Sequence, residues 1–314
     1  MHLLDALPEI QTADMDGPVA YVEWPSERTD APGPTFVCVH GLGGSHLNWM
    51  QVGPMLAEHG RVLALDLAGF GLTPRAGRSS ALSANRALLS RFVHQVAEPP
   101  VLLVGNSMGG SLSILQAAYE PRSVSGLILT SPALPWSARG RPPAAVVMAT
   151  FAIYQMPRVG EAFVRARNSR LGPERLVEEG FKVVMADPAS LPVEIAEAHV
   201  EMARLRAEDP DSAPAYLQAA RSLLSLAGRR PFVGEVLGRV HQPVIVIHGR
   251  KDRLVRIHLA RAAVKDRENW ELHELDGVGH AAQLEAPDRW MAAVEPWLER
   301  QGRSFVPSTI PDSR

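Results

Sequence analysis

The chain has 314 residues, 46% of them hydrophobic, which is enough to bury a large core in one domain with a substantial insertion. Its formal net charge is −2, and its basic residues are almost all scattered arginines, the lysines being Lys182, Lys251 and Lys265. That balance excludes a nucleic-acid-binding patch and reads as a solvated surface. The single cysteine, Cys38, excludes an intrachain disulfide; inside the apolar run from Phe36 to Val39 it reads as a buried core thiol. The start, Met1-His2-Leu3-Leu4-Asp5, lacks the basic and apolar stretches of a secretory signal. No apolar run reaches the roughly 18 residues that span a bilayer. The expectation is a soluble, cytoplasmic protein without an integral membrane span.

In chain order, strand-like runs occur at Thr35 to Val39, Arg61 to Asp66, Pro100 to Val104, Val124 to Leu129, Pro243 to Ile247 and Trp270 to Leu275. The last alternates and reads as an edge strand. The others are the near-continuous apolar runs of strands covered on both faces. Helix candidates fall between them, including Ser111 to Tyr119, Ile257 to Lys265 and Pro287 to Glu299. This alternation predicts an α/β fold with a mainly parallel sheet. It breaks between about Ala133 and Arg239, where the pattern predicts helices over Ala144 to Met156, Val159 to Arg167, Pro173 to Met185, Pro192 to Ala207 and Ala213 to Leu226. The expected organisation is a core in two parts, 1–132 and 240–301, with a helical cap at 133–239 and a disordered tail at 302–314.

Gly105-Asn106-Ser107-Met108-Gly109-Gly110 follows a predicted strand and precedes a predicted helix. A G-x-S-x-G pattern in that context projects a serine hydroxyl above the sheet on a sharp turn, with glycines where strand and helix crowd. Ser107 is therefore the candidate nucleophile. It needs a base, and histidine suits because it titrates near neutrality. His280, in the loop Asp276-Gly277-Val278-Gly279-His280 past the last strand, is the candidate. His241, His248, His258 and His273 read as surface or packing histidines. Asp252, just past the fifth predicted strand, is the candidate carboxylate that orients His280. The end of the fourth predicted strand, Thr130-Ser131-Pro132, carries no acid. Asp66 precedes the serine and reads as a residue that shapes its loop by capping backbone N–H groups. The candidate oxyanion donors are the N–H groups of Met108 and of Leu42, the latter in the loop His40-Gly41-Leu42-Gly43-Gly44-Ser45.

Together these motifs resemble the α/β-hydrolase superfamily over about Thr35 to Leu298. The resemblance implies an eight-stranded core with one antiparallel strand near the N-terminal edge, flanking helices, and a helical cap inserted after the sixth strand. It implies no cofactor and no metal. Ser107 stands where dehalogenases and epoxide hydrolases carry Asp, which sets both aside. The Gly-Asn-Ser-Met-Gly-Gly form is similar to that of hydrolases that cleave carbon–carbon bonds in ring-fission products. Those carry a Gly-Pro-Gly element and a Trp after the histidine, where this chain has Leu42-Gly43-Gly44 and Ala281-Ala282.

The expected function is hydrolysis of carboxylic esters with apolar acyl groups through an acyl-enzyme. Carbon–carbon hydrolysis and non-catalytic binding of a small ligand are the alternatives. The cap supplies apolar side chains near Val146 to Ile153, the methionines Met148, Met156, Met185 and Met202, and Phe151, Tyr154, Phe163 and Phe181. Arg165 and Arg204 are expected on its solvated face, with the alternative that one of the cap arginines reaches in to bind a carboxylate. The partner is a small-molecule substrate; the oligomeric state is open.

Overall fold

The computed structural model describes residues 8–28, 33–135, 145–227, 235–302 and 305. Eight strands form one sheet: β1 (Ile10–Asp14), β2 (Pro18–Trp24), β3 (Thr35–Val39), β4 (Arg61–Leu65), β5 (Val101–Asn106), β6 (Val124–Thr130), β7 (Val244–Gly249) and β8 (Trp270–Leu275), in the order β1-β2-β4-β3-β5-β6-β7-β8. β2 runs antiparallel to both neighbours, and every pair from β4 to β8 is parallel. This is the eight-stranded, mainly parallel sheet that the resemblance implies, with β8 at the edge. The six predicted strands match within a few residues. β1 alternates between exposed and half-buried positions, as an outer strand does, whereas β2 carries the short buried run Val19-Ala20-Tyr21-Val22 that the sequence reading did not pick out. The signal that marks them is the turn Asp16-Gly17, both at positive φ, between the paired Asp14 and Pro18.

Apolar side chains alternate to the two faces of the sheet and build two cores. Val37, Val39, Leu63, Leu103, Leu127 and Val246 pack on one face with Phe92 and Leu112. Those two belong to α2 (Leu82–Phe92) and α3 (Met108–Tyr119). Phe36, Cys38, Val104, Ile128 and Ile247 pack on the other, with Leu56 of α1 (Val52–Ala57) and with Trp290 and Trp297. The Cys38 thiol is buried as expected, and burial pushes it above its ordinary range. Truncating one such aromatic to alanine costs about 3–5 kcal/mol, so each face is separately essential.

Between β6 and β7 lie α4 (Ala145–Gln155), α5 (Val159–Val184), α6 (Val193–Glu208) and α7 (Ser212–Ala227). α5 is two helices joined at Gly172, whose φ of 71° breaks the helix ahead of Pro173, where the sequence pattern separates them. The chain finishes with α8 (Ile257–Val264), α9 (Ala282–Glu285) and α10 (Pro287–Gln301). The expected tail lies outside the described residues, apart from Gly302 and Phe305. The Phe305 ring is buried 5.2 Å from that of Trp297.

Candidate active site

The fully buried strand β5 ends at Asn106, and α3 begins at Met108, three residues earlier than predicted. Ser107, between them, is at φ 53° and ψ −113°, a conformation that side-chain-bearing residues avoid. Backbone bonds hold it there: its N–H donates to Thr130 O at 3.0 Å, and its carbonyl accepts from Ser111 N and Ala133 N. Its side chain caps no helical N–H. Gly109 permits the close approach, because a Cβ there would sit 1.9 Å from Val39 O.

His280 Nδ1 lies 2.7 Å from Asp252 Oδ2, with both residues buried. Asp252 Oδ1 accepts from the N–H groups of Leu254 and Val255. Burial pushes the Asp252 carboxyl up, but His280 and His248 together hold it well below the usual carboxylate range. The carboxylate is therefore ionised, and the His280 tautomer with a proton on Nδ1 is the one it favours. Ser107 and His280 line one cavity, although no hydrogen bond joins the serine hydroxyl to the ring among the described residues. Such bonds are often loose before substrate arrives. The Asn106 side chain bridges the two loops, donating to Thr130 O at 3.1 Å and His280 O at 3.4 Å.

The loop after β3 lies against the serine. A side chain at Gly41 would meet Ser107 Cβ at 3.2 Å. Leu42 lines the cavity beside Ser107. Met108 is the first helical residue, so its N–H has no acceptor within the helix. Asp66 has partners of its own. Its carboxylate accepts from His46 N, the His46 ring and Leu72 N, as a loop-shaping residue does.

Sequence reading missed two features and left a third only as an alternative. His248 is neither a surface nor a merely packed histidine. It is fully buried, with Nε2 2.9 Å from Val255 O and 3.3 Å from Asp252 Oδ2. Its place at the end of a buried strand, four residues before Asp252, was the available signal. Glu285 ties the His280 loop to α5: Oε2 accepts from Gly279 N, and Oε1 accepts from Ala186 N and Asp187 N. Val184 O, at the end of α5, accepts from both His280 N and Ala281 N.

The third feature is the charge in the cavity, which measures about 1160 Å³. Its apolar lining includes Val147, Phe151, Phe163 and Met202. Met156 is instead exposed, and Met185 is buried in the core beneath. Arg204 is outside, paired with Glu174 and Glu201. Arg165 is exposed at the cavity, while Arg167 and Arg206 line it as well. Arg206 is held by Gly69 O and Asp209. Arg167 meets neutral partners: its Nη1 donates to Tyr154 Oη at 3.0 Å, and its Nε and Nη2 donate to Asn168 Oδ1. His199 also lines the cavity, donates to Ile195 O, and has its pKa lowered to about 4 by burial. Among the described residues, no cluster of three metal-ligating side chains occurs, and no helix is long and apolar enough to cross a membrane.

A family model described as the alpha/beta hydrolase fold matches residues 34–287. The chain is 24% identical over 273 residues to the 2-hydroxy-6-oxo-6-(2'-aminophenyl)hexa-2,4-dienoic acid hydrolase of Metapseudomonas resinovorans, covering 86% of this chain and 85% of that protein. It is 27% identical over 258 residues to the dihydrolipoyllysine-residue acetyltransferase component of the acetoin cleaving system of Pseudomonas putida. That match covers 82% of this chain but spans only 61% of the longer protein. The solved haloalkane dehalogenase DatA from Agrobacterium tumefaciens C58 superimposes with a TM-score of 0.76 at 21% identity, covering 93% of this chain and 96% of that one. At that identity the likeness is one of fold alone.

Proposed function

The chain belongs to the α/β-hydrolase fold family, and from that premise we propose that it is a serine hydrolase of carboxylic esters with apolar acyl groups. The observation that carries this reading is the convergence of Ser107, on its strained turn, and the buried His280–Asp252 pair on one mainly apolar cavity. In this reading His280 Nε2 takes the Ser107 proton as Oγ attacks the ester carbonyl. The N–H groups of Leu42 and Met108 receive the oxyanion. Collapse expels the alcohol, protonated by His280, and leaves an acyl group on Ser107. Water activated by the same ring then releases the acid. Asp252 holds the imidazole in the productive tautomer and offsets its charge. The helices of residues 133–239 act as a cap whose apolar residues select the acyl group.

The test is a graded set of nitrophenyl esters together with a fluorophosphonate probe. Each methylene that enters the cavity should contribute about 0.8 kcal/mol until it is full, so kcat/KM climbs over a few carbons and then levels. The probe should label wild-type protein and leave Ser107→Ala unlabelled. Esterolysis that survives Ser107→Ala unchanged overturns the assignment.

Arg167 supports a second reading. A guanidinium among neutral partners in the cavity suits a carboxylate on the substrate. The relative named above for hydrolysis of a dienoic acid acts on such a compound. In this reading the chain cleaves a carbon–carbon bond in a vinylogous diketo acid. Turnover of that acid in preference to neutral esters selects it.

A further inference from the structure

His248 ends its run in β7 fully buried, and its two ring nitrogens are unequal. Nε2 faces two acceptors, Val255 O at 2.9 Å and Asp252 Oδ2 at 3.3 Å. Nδ1 is buried without a partner among the described residues. Two oxygens can be faced only by an N–H, so the proton sits on Nε2. A second proton on Nδ1 would be a buried donor without an acceptor among the described residues, an arrangement that disfavours it. An apolar side chain would fill the same space without stranding a ring nitrogen. What the imidazole adds is its donor, which bonds Val255 O at 2.9 Å and lies 3.3 Å from the carboxylate opposite His280.

We propose that His248 is a positioning residue for the base, one that sets how strongly Asp252 draws a proton onto His280. This rests on the reading of Ser107, His280 and Asp252 as a triad. Asp252 Oδ2 lies 2.7 Å from His280 Nδ1 and 3.3 Å from His248 Nε2, while Oδ1 accepts from the N–H groups of Leu254 and Val255. Each donor withdraws charge from the carboxylate and stiffens it. With the His248 donor in place, less of that charge acts on the imidazolium, and His280 gives up its proton more readily. The charged group on another element that faces His248 is Glu274 of β8, opposite it in register and ion-paired with Arg250 and Arg261.

The test uses the full chain with isotopically labelled histidine. In wild type, NMR should show His248 neutral with its proton on Nε2; a cationic ring or a proton on Nδ1 overturns the proposal without any variant. In His248→Phe, the His280 titration should move to higher pH. The rising limb of kcat/KM for a nitrophenyl ester should move with it, a loss of roughly threefold or more near neutrality with KM unchanged. His248→Gln, which keeps a donor, should largely restore both. A folded His248→Phe whose His280 titrates as in wild type overturns the proposal. The NMR readout is independent of turnover: esterolysis that survives Ser107→Ala defeats the triad reading, whereas an unmoved His280 titration defeats this one.

Discussion

The His40 ring donates from Nδ1 to the carbonyl of its neighbour Gly41 at 2.7 Å, and its Nε2 accepts from Leu67 N at 3.1 Å. A trans peptide sets its C=O and N–H on opposite sides. Fixing the Gly41 carbonyl therefore turns the N–H of Leu42, a residue that lines the cavity, the opposite way. Burial lowers the His40 pKa, so the ring stays neutral and keeps one donor and one acceptor for these two partners.

His40→Ala should free that peptide plane. Loss of one well-aimed oxyanion donor typically costs about 10²-fold in kcat, and loosening it should cost somewhat less, roughly tenfold or more. Steady-state kinetics on a nitrophenyl ester check this. KM should stay within about twofold, because the ground-state carbonyl gains little from the donor. A parallel rise in KM would point to a collapsed loop instead.

Gly109→Ala should destabilise the protein by several kcal/mol, roughly 3 or more, since the added carbon would stand 1.9 Å from Val39 O in a packed interior. Urea unfolding measures it. Unchanged stability would mean that strand β3 and helix α3 can separate at no cost.

His199 should make the fold sensitive to mild acid. Its folded pKa is about 4, lowered by burial, against about 6.5 for the unfolded chain. Between those values the unfolded state binds more protons, so stability rises with pH across this window and falls as pH drops through it. The loss is complete once pH is below the folded value. His199→Gln should flatten that slope by roughly a few degrees of Tm between about pH 6.5 and 4. Thermal melts at stepped pH show it; identical slopes in the two proteins would exclude the assignment.

Arg167→Gln separates the two substrate readings. Turnover of neutral esters should change by less than about threefold. Any carboxylate-bearing substrate should lose on the order of 10²-fold in kcat/KM, the worth of a charge-assisted pair. Equal losses on both classes would mean that Arg167 chiefly supports Tyr154 rather than meeting substrate.

Much of this was legible in the chain because buried parallel strands and a glycine-framed turn leave local marks. Thr35 to Val39 needs no partner to read as a strand, and Gly105 to Gly110 needs only its flanks. β1 was not legible, because IQTAD gains its conformation from pairing with β2 and not from its own composition. His248 was missed because its role depends on a strand end folding back over Asp252, a relationship set by tertiary packing. Arg167 was missed for a similar cause: helical spacing places a residue on a face, but whether that face is solvent or cavity depends on how α4, α5 and α7 assemble.

The bonds from Val184 and Glu285 bear on how freely this architecture can be rebuilt. The end of α5 grips the backbone of His280 and Ala281, and Glu285 clasps both that end and Gly279. On the other side, Ala133 is bonded to the carbonyl of Ser107 itself. The helical segment is thus not an interchangeable accessory clipped onto a finished scaffold. Grafting a relative's helices between β6 and β7 would change the footing of the loops that hold Ser107 and His280. A transplant that keeps Val184 and the loop whose N–H groups donate to Glu285 carries the scaffold's support with it, and one that cuts inside those positions does not.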